Sequence, residues 1–323
     1  MASARIKSSF IYLANAVSDL RGNWATFAAV LAPLIVLGAL CLLPDALNLQ
    51  HQLAEKFSPG GHSVAWIPAQ TPYAPLAADV KPLFPDWMVT LFHVMLVLLT
   101  FSVNLVVLCT IRRIQAGTRR EGILNEAFEI YREAAVLAPA FYWIVFLQLI
   151  APIIALALWW LDIMVSVSWL AVAIYLLEVV ALFFAAIVYL WLYFARYALV
   201  LNGRHSFHGL LFSRDMMRKR FFRVATRIVV FLAVWSGYNS WAAGAFIVVS
   251  LILGPVAVFT GYLWGVIFVV DLLAISVTFV TAAFFVVAGV RLYQDLTIAA
   301  EEPVVVAAET STAPTAPLPS ASA

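Results

Sequence analysis

Charged residues are scarce in this chain. Asp, Glu, Lys and Arg make up 11% of its 323 residues, while 64% are hydrophobic. A soluble domain carries about 25% charged residues. Water alone cannot solvate such a surface, and a membrane is the natural alternative. Cysteine is scarcer still, with only Cys41 and Cys109. There is no CxxC pair and no zinc-module spacing. The two thiols fall in opposite leaflets, and a disulfide needs Cα atoms within about 7 Å. Both are expected to be packing residues. A Gly-rich phosphate loop and a nucleophile elbow are also missing. His205 and His208 have no neighbouring Cys or acidic ligand set, and a zinc site needs three or four ligands. No cofactor, metal or catalytic residue is therefore expected, and the chain reads as a non-enzyme. At the N-terminus, Asn15 and Asp19 interrupt what would have to be the apolar core of a cleavable signal. The segment is expected to be retained.

What the chain does have is long apolar runs. The cleanest covers residues 168–194 and leads into a basic segment. A bilayer needs about 20 apolar residues to be crossed by a helix. Six stretches qualify, at about 24–43, 87–111, 135–161, 168–194, 228–253 and 267–290. The expected fold is all-α, a polytopic integral membrane protein with the six spans arranged as three hairpins. Pro44 and Asp45 are expected to stop the first span, and Gly254 with Pro255 the fifth. Pro33 should kink the first.

Each hairpin is preceded by a segment with helical apolar spacing, expected to lie in the interface. In residues 8–21 the stripe is Phe10, Leu13, Ala14 and Val17. In 121–133 it is Leu124, Ala127, Phe128 and Tyr131, with Glu126 and Glu129 off that face. In 206–224 it is Phe207, Leu210, Leu211, Met217, Phe221 and Val224. The outer loop 44–86 holds seven of the fifteen prolines. One piece is expected to be helical, along Leu49, Leu53 and Phe57, and Trp66, Tyr73 and Trp87 are candidate interface anchors. The domain closes at residue 296, and 297–323, rich in Ala, Pro, Thr and Ser, reads as a disordered cytoplasmic tail.

Threading follows from charge. With the N-terminus inside, 17 of the 19 basic residues lie on the inner side, and only Lys56 and Lys81 outside. The positive-inside bias then places both termini in the cytoplasm. Abundant Ala, Arg over Lys and short loops point to a bacterial inner membrane. Arg214, Arg218, Lys219, Arg220 and Arg223 interleave with Phe beside two spans. Anionic lipid headgroups suit them better than nucleic acid. A protein partner or a homo-oligomer is left open.

Units one and two also echo each other. Val30-Leu31-Ala32-Pro33 recurs as Val136-Leu137-Ala138-Pro139. Residues 206–223, together with Val290-Arg291-Leu292-Tyr293-Gln294-Asp295-Leu296, resemble the six-helix membrane domain attached to some glycerophosphodiester phosphodiesterases and found alone in bacteria. The resemblance spans about residues 9–296. It implies a fold and membrane residence. The catalytic barrel of those enzymes has no counterpart in this sequence, so their activity is not implied.

Ionisable and polar groups inside spans are candidate functional residues. At 1.5 Å per residue, Glu178 lies about 24 Å above the inner end of its span, His93 about 27 Å, Asp271 about 28 Å and Gln148 about 20 Å. The four would share one layer and form a polar pocket in which Glu178 and His93 exchange a proton or hold a cation. The competing expectation is that Asp271 caps the outer end of its helix and His93 sits at the headgroup boundary. Three functional classes follow: a membrane scaffold or accessory protein contacting anionic lipids, a small transporter or lipid-handling protein built around Glu178, or an intramembrane enzyme, for which the sequence offers no catalytic set.

Overall fold

The computed structural model describes residues 7–56, 82–117, 122–164, 168–204, 206–218, 220–260 and 263–311. Trp66, Tyr73, Lys219 and His205 lie outside them, as do residues 312–323. Among the described residues every regular element is an α-helix. They are α1 (Ser9–Gly22), α2 (Trp24–Lys56), α3 (Asp86–Ala116), α4 (Ile123–Met164), α5 (Ser168–Leu192), α6 (Ala195–Asn202), α7 (Ser206–Arg218), α8 (Phe221–Thr260) and α9 (Leu263–Ser311). Six of these, α2, α3, α4, α5, α8 and α9, carry segments long and apolar enough to cross a membrane, as a multi-pass membrane protein requires.

Several expected helix ends are passed through. α2 continues beyond Pro44 and Asp45 to Lys56, and takes in Leu49 and Leu53 of the expected stripe, whose third member Phe57 lies outside the described residues. α8 starts at Phe221 and runs through Gly254 and Pro255. α9 continues past Val290 and Leu296 to Ser311, where an unstructured tail was expected. A lone proline removes one ladder bond, and in apolar surroundings the neighbouring bonds hold the helix together. α3 does stop near the expected place. Gly117 takes φ 65°, a left-handed cap that a side chain disfavours, and its N–H bonds the Ile114 carbonyl at 3.3 Å.

The centre of the bundle is α2, α3 and α9, packed on one another. Contact is close because small residues face it. A Cβ on Gly38 would come within 2.8 Å of Ile275 Cγ2 and 3.4 Å of Phe279 Cζ. Gly289 likewise lets the Tyr197 ring lie directly on α9. α4 packs against α3 and α2 and pairs with α5. The Tyr131 hydroxyl donates to the Val30 carbonyl, beside the carbonyl that Pro33 deprives of its helix donor. α8 leans mainly on α9.

At the end of the bundle bearing most arginines, hereafter the basic end, three short elements close the core. The α5–α6 break is stitched from two sides. Ser213 of α7 donates to the Trp191 carbonyl at 2.6 Å and accepts the Phe194 N–H at 3.2 Å. Gln148 donates to the Leu192 carbonyl at 2.6 Å. These satisfy carbonyls that any helix end leaves without a partner. Below the break, Tyr193, Phe194, Tyr197 and Tyr293 form one aromatic cluster, with Arg196 buried over the Tyr193 and Tyr197 rings.

α1 is a separate helix laid along α9. Arg291 holds Asp19 with two bonds, of 2.7 and 2.6 Å. Tyr12 donates to Asp295 at 2.8 Å, and Lys7 stands 3.8 Å from the same carboxylate. Burial pushes the Tyr12 hydroxyl well above the usual tyrosine range, and the Asp295 bond adds to the shift. The buried face is Tyr12, Leu13 and Ala16. Of the expected stripe only Leu13 is inside, and Phe10, Ala14 and Val17 are exposed.

The second expected interfacial segment is the first part of α4, continuous with the span. Its expected stripe is split, with Ala127 buried and Tyr131 packed against the core. Leu124 and Phe128 are 79% and 68% exposed, while Glu126 is 4% exposed. The third is α7, broken from α8 between Arg218 and Phe221. Met217 and Val224 are buried, and Phe207 and Leu211 face out.

Candidate functional site

The four polar groups assigned to one layer separate into three places. At the end opposite the arginines, His93 Nε2 lies 2.8 Å from Asp45 Oδ2. Asp271 is within electrostatic reach of the same Asp45. One turn on from Asp45, Asn48 brackets Phe84: its Oδ1 accepts the Phe84 N–H at 2.7 Å, and its Nδ2 donates to the Phe84 carbonyl at 3.3 Å. His93 and Asp271 do come together, but around Asp45 rather than Glu178. A stop at Pro44 hid this, because it removed Asp45 from the helix whose face it shares. Among the described residues no group of three His, Cys, Asp or Glu side chains is placed to hold a metal ion.

Gln148 is buried in its bond to Leu192 at the α5–α6 break. Leu192 is fourteen residues beyond Glu178 on one continuous helix, about 21 Å along its axis. Gln148 is therefore structural, and its depth estimate failed because α4 and α5 pair with their basic ends out of step with the expected span ends.

Glu178 stands in a cleft between α4, α5 and α8, with a volume of about 480 Å³. Pro152, Trp159, Leu182, Tyr189, Val229 and Leu232 are among its walls. Among the described lining residues the Glu178 carboxylate is the one charged group, and the rest are almost wholly apolar. His93 lies on α3 and is bonded elsewhere, so the expected Glu178–His93 proton exchange has no geometric support.

The residues expected to meet lipid headgroups lie at the basic end, three of the described four on exposed surface. Arg214 pairs with its neighbour Asp215 at 3.2 Å, and Arg218 and Arg223 are exposed. Arg220 is half-buried. Phe207 and Phe222 project among them, 66% and 84% exposed.

A further group, between α3 and α4 at the same end, is absent from the sequence reading. Arg112, Arg113, Glu129, Arg132 and Glu133 line an open basin of about 530 Å³. Arg112 Nη1 bonds Glu133 at 2.9 Å. Arg113 reaches Glu133 at 3.5 Å and Glu129 at 3.8 Å, and Arg132 reaches Glu129 at 3.6 Å. The signal was in the sequence: Glu129, Arg132 and Glu133 recur at helical spacing opposite the Arg112–Arg113 foot of the preceding helix. Reading this segment as an interfacial helix left Glu129 off its apolar face without pairing it to the preceding helix.

Comparison with protein families, curated proteins and solved structures finds no match to this chain. The functional reading rests on the residues themselves.

Proposed function

We propose that this is a non-catalytic multi-pass protein of a bacterial inner membrane, a scaffold or accessory subunit that contacts anionic lipids. Its six spans thread as three hairpins, α2–α3, α4–α5 and α8–α9, with both termini in the cytoplasm. One observation carries the reading: exposed Phe207 and Phe222 alternate with exposed Arg214, Arg218 and Arg223 at the basic end. Such a surface sets rings at the acyl boundary and cations at the headgroups. Each arginine near an anionic surface contributes about 1 kcal/mol. The exposed faces of α5 and α8 leave room for a protein partner or a second copy. The resembled membrane domain agrees in helix number and brings no activity with it.

The test is tryptophan quenching by brominated lipids in proteoliposomes. Brominated phosphatidylglycerol should quench more than brominated phosphatidylcholine, and Arg214→Gln/Arg218→Gln/Arg223→Gln should reduce the preference. Equal quenching by both lipids in the unaltered chain would remove the reading. A second reading, lipid handling, is favoured by the cleft at Glu178. Lipid flux in proteoliposomes that Glu178→Gln abolishes would establish it, and absence of flux in the unaltered chain would end it.

A further inference from the structure

The basin between α3 and α4 holds three guanidinium groups against two carboxylates. Among the described lining residues cations outnumber anions by one. Only one of its ion pairs, Arg112–Glu133 at 2.9 Å, is within the short range of a charge-assisted hydrogen bond. Arg113 is the under-satisfied member. Its two carboxylate contacts are long, and its Nη1 is enclosed without a hydrogen-bond partner. Nη1 is closed to solvent, but Nε and Nη2 meet carboxylates only at 3.5 and 3.8 Å, and an oxyanion at hydrogen-bond distance would satisfy them better. The basin is also wide enough to admit a ligand. Its rim is apolar on one side, where Ala116, Val136 and Leu137 complete the lining, and Val136 faces outward.

We infer that this basin binds one phosphate-ester oxyanion, with Arg112 and Arg132 at its mouth and Arg113 beneath. The guanidinium groups that line the described part of the basin suit a phosphate-ester anion. The apolar rim matches the first carbons of a lipid chain. The shared chemistry is a phosphate group, which a phospholipid headgroup or free phosphate can supply. The inference refines the lipid-contact reading by adding a stoichiometric site to a diffuse surface.

The experiment is native mass spectrometry of the full chain, delipidated in a neutral detergent. It is titrated with dioctanoyl-phosphatidylglycerol, alone and against inorganic phosphate. One equivalent should bind saturably. Arg113→Gln should weaken it about tenfold or more, the loss of a charge-assisted contact. Val136→Trp, which fills the mouth without changing charge, should weaken it similarly. Glu129→Gln removes a competing carboxylate and should strengthen it. Arg21→Gln, an exposed arginine on α1, controls for general charge. Melting temperature confirms that each variant is folded, and the opposite signs of Arg113→Gln and Glu129→Gln keep the test independent of stability. Displacement by inorganic phosphate assigns the site to free phosphate; failure to displace assigns it to the lipid. Either result upholds the site. A saturable equivalent unaltered by both Arg113→Gln and Val136→Trp, or no saturable binding, overturns it. Anionic-lipid preference in the quenching assay without a saturable equivalent sinks the basin alone. Loss of that preference sinks the broader reading.

Discussion

The α2–α3–α9 centre and the α5 and α8 flanks are made of similar apolar sequence and meet very different surroundings. In the spans of α2 and α3, 44% of the most apolar window is buried inside the protein, against 11% for α5 and 6% for α8. Apolar character alone does not draw helices together in lipid, because the tails are as apolar as leucine. What distinguishes the centre is fit. Gly38 and Gly289 let neighbours approach, and Tyr131, Arg291 and Tyr12 tie one helix to the next. Among the described residues the outer faces of the flanks carry large exposed apolar side chains, such as Phe183 and Trp241, in place of such ties.

That contrast can be broken by paired substitutions read as thermal melts of the detergent-solubilised chain. The largest difference is expected from truncating phenylalanines. Phe279 is fully buried in α9 and Phe183 is exposed on α5. Phe279→Ala should cost about 3–5 kcal/mol, and Phe183→Ala within about 0.5 kcal/mol. Equal losses would show that both helices are held alike.

Next come the glycines. A Cβ on Gly289 would press into the Tyr197 ring, while one on Gly244 of α8 meets nothing within 4 Å. Gly289→Ala should cost about 1–3 kcal/mol by overpacking. Gly244→Ala should be neutral or stabilising by up to about 1 kcal/mol, the helix preference for Ala. A neutral Gly289→Ala would mean that the Tyr197 ring yields and α6 is not held tightly on α9.

A smaller effect is expected where α1 meets α9. Asp19→Asn removes the charge that Arg291 holds with two bonds. Both side chains are partly exposed, so solvent screening limits the loss to about 1 kcal/mol. Protease access to α1 should rise in the same variant, and no change in either would separate the pair from the stability of this end.

The smallest effect is a pH dependence. The folded state raises the Tyr12 hydroxyl above its ordinary value of 10. Its contribution is complete below that value, where folded and unfolded chains are both protonated. Above it the unfolded chain loses the proton first, so stability falls as pH rises. Tyr12→Phe should flatten the decline between pH 10 and 11; an unchanged slope would assign the alkaline loss to other groups.

Much of this architecture can be read from the residues. Six apolar runs mark six long helices, and the arginines collect at one end of the bundle. The positions of Gln148 and Asp45 could not be read so. Each depends on where a helix ends, and Pro44 and Gly254–Pro255 are strong stops only where water competes for the freed backbone groups. The basin was missed for a different reason. Residues 121–133 carry both an apolar and a charged stripe, and periodicity cannot say which stripe meets the neighbouring helix.

Sequence by itself therefore determined that this protein is helical, apolar and asymmetric in charge, because those properties are sums over residues. Only the tertiary structure decided which faces touch. It paired His93 with Asp45, left Glu178 alone in a cleft and turned Glu129, Arg132 and Glu133 toward Arg112 and Arg113. The physical reason is that lipid and protein interior are nearly equivalent solvents for an apolar side chain. The choice between them falls to shape and to a few polar contacts between residues far apart in the chain.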